Sequence, residues 1–237
     1  MGNIDKMNFL NKYTFNKSLK VELIDVHDVD KGTLPESWNE VFENDELSLK
    51  IKYLLQLWEN TVGNDLRNTI AYLNRHLRDI ELMRLGEKYF ILYSIESSKT
   101  SELLFYVGGN PLEKNFKNQE ELFNDWAKIP ETLKNFYESL HDGFYYFPSR
   151  SMGLDAVENV TYLGEEDWEI VEEMEQPLEI QLESSYGFFS NGMGRYVVVD
   201  ANDCDNDKAT LWSATSLPKY DLKFWNVVDE WIVIGFN

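Results

Sequence analysis

Hydrophobic residues recur every three or four positions in the first part of the chain and then begin to alternate with polar ones. Trp38, Val41 and Phe42 share one face of a predicted helix that opens with the capping-box pair Thr33 and Glu36. After an acidic interruption the helical spacing resumes at Ile51, Leu54, Leu55 and Trp58, a second amphipathic helix follows, and alternation predicts an antiparallel meander. The elements predicted in this half are a strand over 20–26, a helix over 33–58 with an acidic interruption, a second helix over 66–77, and strands over 81–85, 88–95 and 102–107.

The second half of the chain has its clearest helix signal after Pro130. Leu133, Phe136 and Leu140 lie on one face, and Asp142-Gly143 ends the pattern. Asn191-Gly192 predicts a tight hairpin between two strands. The other elements predicted here are a short helix over 120–128, strands over 144–147, 156–163, 178–183, 186–190, 195–200 and 209–213, and a closing helix over 222–232 capped by Asp221.

This order of elements predicts an α+β fold with an antiparallel or mixed sheet flanked by helices. Gly108, Gly109 and Pro111 concentrate chain-breaking residues, and a polar stretch follows them. We therefore predict a boundary near 110–117. It separates an N-terminal α+β extension (1–115), made of two helices and a meander, from a second α+β domain (116–237).

Acidic residues dominate the charge of the chain. There are 42 Asp and Glu against 22 Lys and Arg, which gives a net charge of −20. Such a surface repels nucleic acid and anionic lipid, since both are bound through basic side chains. A basic protein partner is favoured, although a high net charge also serves solubility alone.

The sequence favours a reducing, cytoplasmic location. Cys204 is the single cysteine, so no disulfide can form within the chain. The first residues lack the basic and apolar regions of a secretory signal, and no window reaches the ~18 consecutive apolar residues of a membrane span. We predict no membrane association, and the sequence does not indicate the oligomeric state.

The segment from Ser151 to Gly194 contains no Lys or Arg but many acids. Tyr162 and Trp168 lie among these acids, and a mixture of aromatic and charged residues suits a protein interface. The alternative is a solvated acidic face with Trp168 turned into the core. The partner-binding residues predicted in this segment are Asp155, Glu158, Tyr162, Glu165, Glu166, Asp167, Trp168, Glu169, Glu172 and Glu173.

A second acidic cluster, Asp203, Asp205 and Asp207, has the spacing of the first ligands of a calcium loop. The glycine that such a loop needs is Lys208, and the closing glutamate is Ala214. We therefore predict an acidic loop between strands that adds to the partner-binding surface, with no metal bound.

Catalytic motifs are hard to find. The histidines are His27, His76 and His141, and the His27-Asp28 and His141-Asp142 pairs leave a metal-dependent hydrolase as an alternative. The sequence contains no nucleophile elbow, phosphate-binding loop or HExxH motif. We predict no enzyme and no cofactor.

The C-terminal half resembles the SUKH superfamily, which includes bacterial toxin-immunity proteins and the yeast Smi and Knr cell-wall regulators. The resemblance rests on Pro130 before a helix that carries Phe136, then a polar turn and Gly143 at the entry to a sheet. It continues with the hydrophobic strand Gly194–Asp200, the strand around Trp212 and the closing amphipathic helix. It covers roughly 118–237, and the Asn-Gly that usually closes the first helix in the family is Asp142-Gly143 here.

This resemblance implies a SUKH-like sheet flanked by helices and a cytoplasmic antidote that binds a cognate toxin domain, often a nuclease. The charge favours the same kind of partner, because a domain that binds nucleic acid is basic. We therefore predict an immunity-type protein that neutralises a basic toxin domain through its acidic surface. A regulatory or scaffold protein with another protein partner is the alternative.

Overall fold

A computed structural model describes residues 3–14, 16–165, 167–172 and 174–237. In these residues the helices are α1 (Asn3–Lys12), α2 (Glu36–Phe42), α3 (Leu47–Val62), α4 (Arg67–His76), α5 (Glu120–Asp125), α6 (Glu131–Asn135), α7 (Glu169–Glu172) and α8 (Phe224–Gly235). The strands are β1 (Val21–Leu23), β2 (Leu77–Leu85), β3 (Lys88–Glu96), β4 (Leu103–Gly109), β5 (Phe144–Tyr146), β6 (Ser151–Leu154), β7 (Thr161–Tyr162), β8 (Ser185–Ser190), β9 (Arg195–Asp200), β10 (Lys208–Ser213) and β11 (Lys219–Lys223). The predicted α+β class is confirmed.

The strands form one open antiparallel sheet in the order β1-β2-β3-β4-β5-β6-β8-β9-β10-β11. β7 pairs with β8 through Thr161 and Tyr162, on the same side of β8 as β6. The chain therefore leaves the sheet after β6, makes a short loop and returns to the same strand. This excursion brings Tyr162 to the sheet just before the acidic segment.

Three hydrophobic clusters hold the layers together. The main one packs α2, α3, α4, α6 and α8 on one face of the sheet, with Trp38, Trp58 and Phe136 fully buried. On the other face, Leu10 of α1 covers the meander, and apolar residues of the acidic segment cover Trp212. Successive side chains of a strand point to opposite faces, so this two-sided burial follows from alternation.

The sheet is continuous across the predicted boundary at 110–117. β4 pairs directly with β5, where Tyr106 lies opposite Tyr146 and Gly108 opposite Phe144. The main hydrophobic cluster likewise draws residues from both sides, from Leu34 to Phe236. The two predicted units share one sheet and the main hydrophobic cluster.

Helix α6 widens into a π-helical turn over Phe136–Leu140, where the His141 N–H donates to Phe136 O at 3.0 Å. The wider turn places Tyr137 and His141 in the interior. Widened turns of this kind often occur at functional sites.

Most predicted elements are present, but two predicted strands are wrong. The stretch 156–163 forms a 3-10 turn at Val157–Asn159 before β7, and 178–183 ends in a 3-10 turn at Leu182–Ser184. The sequence did not indicate α1, α7, β6 or β11, and the predicted helix over 33–58 is divided into α2 and α3. Neither predicted cap forms. Asp221 lies in β11, because α8 begins at Phe224. Helix α2 begins after Pro35 with no side-chain cap, so Thr33 and Glu36 do not form a capping box.

None of the helices in the described part of the chain is long and apolar enough to cross a membrane.

Candidate functional site

Tyr162 lies at the centre of the acidic region that the fold assembles. Its ring is half-buried and stacks on Tyr186 with centroids 5.6 Å apart. Its hydroxyl donates a hydrogen bond to Glu183 O at 3.1 Å. The short strand β7 and this bond fix the side chain from both ends.

Acids from three separate elements surround this tyrosine. Burial raises the pKa of Tyr162, and the negative charges of Glu121, Glu183, Glu165 and Asp125 raise it further. These groups come from α5 and from two 3-10 turns on either side of α7. The acids around Tyr162 are therefore gathered by the fold and are not one sequence run.

Asp125 connects this group to the rest of the surface. It accepts a hydrogen bond from the Tyr186 hydroxyl at 2.8 Å and pairs with Lys128 at 2.7 Å. Burial alone would raise the pKa of Asp125, but the bonds from Lys128 and Tyr186 outweigh it and lower the pKa. Asp125 therefore stays ionised.

Lys128 also reaches the second acidic cluster. Its ammonium donates to Asn202 Oδ1 at 3.0 Å, and its carbonyl accepts from Cys204 Sγ at 3.3 Å. In the same loop Lys208 pairs with Asp203 at 2.8 Å, and Asp207 accepts from Thr132. The two clusters therefore adjoin one another at Lys128.

We call this surface the acidic edge. It consists of Glu121, Asp125, Tyr162, Glu165, Glu183, Asp203, Asp205 and Asp207, with Lys128 between its two clusters. Burial and the charge of Asp207 also raise the pKa of Asp65, in the turn between α3 and α4, so the negative potential extends to that turn.

Several predicted partner-binding residues lie on the protein surface. Glu165, Asp167, Glu169, Asp203 and Asp205 are exposed. Glu166 and Glu173 lie outside the described residues, as does the side chain of Glu172. The structure therefore places part of the predicted set where a partner can reach it.

Three of the predicted partner-binding residues are buried or make contacts within the protein. Asp155 is 8% exposed, so its carboxyl cannot meet a protein surface. Glu158 pairs with Lys88 on β3. Trp168 packs edge-on against Trp212 with ring centroids 5.4 Å apart. Trp168 therefore faces the core, as the alternative interpretation of the acidic segment predicted.

Sequence reasoning missed Glu121, Asp125 and Glu183 as neighbours of Tyr162. Glu121 and Asp125 lie four residues apart and so share one face of α5. Glu183 comes from the turn whose backbone oxygen Tyr162 contacts. The shared face of α5 could be read from the sequence, but its position near Tyr162 could not.

No metal site appears among the residues that the structure describes, where no three His, Cys, Asp or Glu side chains are arranged to hold an ion. His141 is fully buried beside Trp58 and Trp38. Burial lowers the pKa of His141 to about 3, so the ring is neutral near pH 7. Its Nε2 lies 2.6 Å from the Tyr93 hydroxyl and is therefore not free to bind a metal ion.

No protein-family model, curated protein or solved structure matches this chain. The resemblance of 118–237 to the SUKH superfamily therefore stays a prediction.

Proposed function

We propose that this chain binds a basic protein and works as an immunity-type protein, which neutralises a cognate toxin domain such as a nuclease. The acidic edge supports this proposal. It combines exposed carboxylates with a tyrosine held in a fixed orientation, and no catalytic constellation is needed for such a role.

The carboxylates and the tyrosine of the acidic edge have different roles in binding. Exposed carboxylates such as Glu165 and Asp205 attract a basic surface over about a Debye length, which is ~10 Å at 0.1 M salt. Tyr162 supplies apolar area at low entropy cost, because stacking on Tyr186 already restricts its ring. The charges govern the rate of encounter, and the aromatic group contributes to the lifetime of the complex.

Charge reversal on the edge tests the proposal. We expect the triple variant Glu121→Lys, Glu165→Lys, Asp205→Lys to slow association about 10- to 100-fold at low salt, because all three side chains are exposed on the edge. The measurement is stopped-flow association with a basic toxin domain encoded beside this chain, repeated at high salt, where the difference should shrink.

A matched control reverses three exposed acids in and directly after α2, Glu36→Lys, Glu40→Lys and Glu43→Lys. It changes the net charge by the same amount at a different place, so we expect a much smaller effect. If both triple variants associate equally slowly, only net charge matters and the acidic edge is not the docking surface. If both associate like the parent, the electrostatic proposal fails altogether.

A further inference from the structure

Phe123 presents an aromatic ring to solvent on helix α5. The residue is 61% exposed, and no other phenylalanine among the residues that the structure describes is exposed. Single exposed apolar side chains are common on protein surfaces, so exposure alone indicates no site. Phe123 differs because a row of rings supports it from behind.

This row of rings runs from Phe123 into the core. Phe123 packs edge-on against Phe116 with ring centroids 5.4 Å apart, and Phe116 packs edge-on against Trp126 at 5.1 Å. The ring of Trp126 in turn contacts Tyr137 at 5.9 Å and Phe188 at 6.5 Å, and both of these residues are fully buried. We call Phe123, Phe116 and Trp126 the aromatic row. Its inner end belongs to the main hydrophobic cluster.

Polar contacts hold the inner part of the aromatic row in place. Trp126 Nε1 donates to the Glu138 carboxylate at 3.0 Å, and Lys114 pairs with the same carboxylate at 3.2 Å. The Lys114 ammonium lies 4.8 Å from the ring centroid of Trp126 and 5.8 Å from that of Phe116. An apolar group that docks on the row therefore meets a preformed surface, with little side-chain freedom left to lose.

The bases near the aromatic row are mostly paired. Lys114 is engaged with Glu138, and Lys128 pairs with Asp125 at 2.7 Å. Lys117 is exposed and makes no ion pair with the described residues. Lys117 is therefore the base that opposes the acids around the row.

These acids lie on the same helix as Phe123. Glu120 and Glu121 are exposed, and neither forms an ion pair within the described part of the chain. The charge of Glu121 acts on Tyr162, so the aromatic row adjoins the acidic edge. An apolar anchor and unpaired carboxylates are thus presented side by side.

We propose that the aromatic row anchors the basic partner by burying an apolar side chain that the partner carries between lysine or arginine residues. This inference rests on the proposed function and names the chemistry of the segment that docks. The exposed ring supplies the apolar contact, and the acids on α5 attract the flanking cations. A second copy of this chain fits the surface poorly, because it would bring the same acids against it.

The aromatic row and the charges should act on different rate constants. Charge attraction acts over ~10 Å at 0.1 M salt and speeds encounter, whereas apolar contact forms at short range and lengthens the life of the complex. We therefore expect Phe123→Ala to raise the dissociation rate about 10-fold and to leave the association rate nearly unchanged. The charge-reversed triple variant of the acidic edge should show the opposite pattern.

Leu217→Ala is the matched control. Leu217 is 64% exposed and lies between β10 and β11, at the opposite end of β10 from the acidic loop over 203–207. It should dissociate from the partner like the parent. Phe123→Leu keeps an apolar side chain and should dissociate more slowly than Phe123→Ala. Because both positions are exposed, all three variants should unfold thermally close to the parent.

Two synthetic peptides of equal charge test the aromatic row without the natural partner. Their sequences are Lys-Lys-Leu-Leu-Lys-Lys and Lys-Lys-Ser-Ser-Lys-Lys. In aromatic NMR spectra of the free protein at low salt, the leucine peptide should shift the ring signals of Phe123 and Phe116 in a saturable way. The serine peptide should not, and Phe123→Ala should bind the leucine peptide about fivefold more weakly than Leu217→Ala does. Equal ring shifts with both peptides, or no shift with either, overturn the proposal.

Two results separate this inference from the proposed function. If charge reversal slows association with a basic partner, but Phe123→Ala and Leu217→Ala dissociate alike, the proposed function stands and the anchor is wrong. If the leucine peptide binds at the aromatic row but no basic protein binds the acidic edge, the proposed function fails. The preference of the row for basic segments with an apolar side chain then stands without it.

Discussion

His141 should make the stability of this protein fall in acid. The ring is fully buried, and its Nε2 lies 2.6 Å from the Tyr93 hydroxyl. Burial keeps that phenol protonated, because it raises the pKa of Tyr93 far above its usual value. The hydroxyl therefore donates and Nε2 accepts, so protonating the ring at Nε2 would break this bond.

The sign of the effect follows from the pKa of His141, which burial lowers from 6.5 to about 3. The unfolded chain binds a proton at this site below pH 6.5, whereas the folded chain does not until about pH 3. The contribution of the neutral ring to the free energy of unfolding is therefore fully present above pH 6.5 and decreases as the pH falls toward 3. Linkage gives a loss of about 3 kcal/mol between pH 6.5 and pH 4.

Asp142 opposes this trend. Burial raises its pKa to about 6, so the folded state takes up that proton before the unfolded state does. The overall pH profile therefore mixes gains and losses. The contribution of His141 has to be measured as a difference between the parent and a His141→Gln variant.

Urea unfolding followed by tryptophan fluorescence at several pH values supplies this difference. His141→Gln should be less stable than the parent at neutral pH, and the gap should narrow by about 3 kcal/mol on going to pH 4. The exposed His27→Gln is the matched control and should leave the profile unchanged. A gap between parent and His141→Gln that stays constant from pH 6.5 to pH 4 would refute the reasoning.

Two further substitutions test packing and capping. Asp229 is 5% exposed and accepts hydrogen bonds from the Asn68 N–H at 3.0 Å and the Thr69 N–H at 2.7 Å, in the first turn of α4. Asp229→Ala should therefore lower the free energy of unfolding by about 2–4 kcal/mol, measured by urea unfolding. An unchanged unfolding midpoint would contradict this capping role. A Cβ on Gly108 would lie 2.4 Å from Nδ1 of His141, so Gly108→Ala should cost about 1–3 kcal/mol in thermal unfolding. That cost should shrink in a His141→Ala background, and additive effects would exclude the clash.

Local signals were enough to predict the elements that form by short-range pairing. The Asn191-Gly192 signal does mark the turn that joins β8 to β9, but this connection runs over 191–194, and Gly192 and Gly194 both have a positive φ of 73°. The meander β2–β4 likewise followed from alternation and short polar connections. In these cases the sequence period and the tertiary environment require the same structure.

The same alternation misled in the acidic segment. Leu178 and Ile180 alternate with polar residues and are in the cluster around Trp212, but the segment that carries them is not a strand. Its backbone is held by a side chain, since Asp200 accepts from the Gln181 N–H at 2.9 Å. A period of two shows which residues are buried, and it does not show whether a neighbouring strand supplies the hydrogen bonds.

The candidate site was predictable only in part, because it depends on contacts far apart in sequence. The loop before β7 is fixed by the Tyr137 hydroxyl, which donates to Asp155 O at 2.7 Å, and by Gln119, whose amide donates to Val160 O at 2.9 Å. Gln119 precedes α5, so the same contact sets that helix and its acids beside Tyr162. Buried contacts thus hold an exposed surface in place. Because this loop is already ordered, a partner that docks there pays little entropy cost for ordering it.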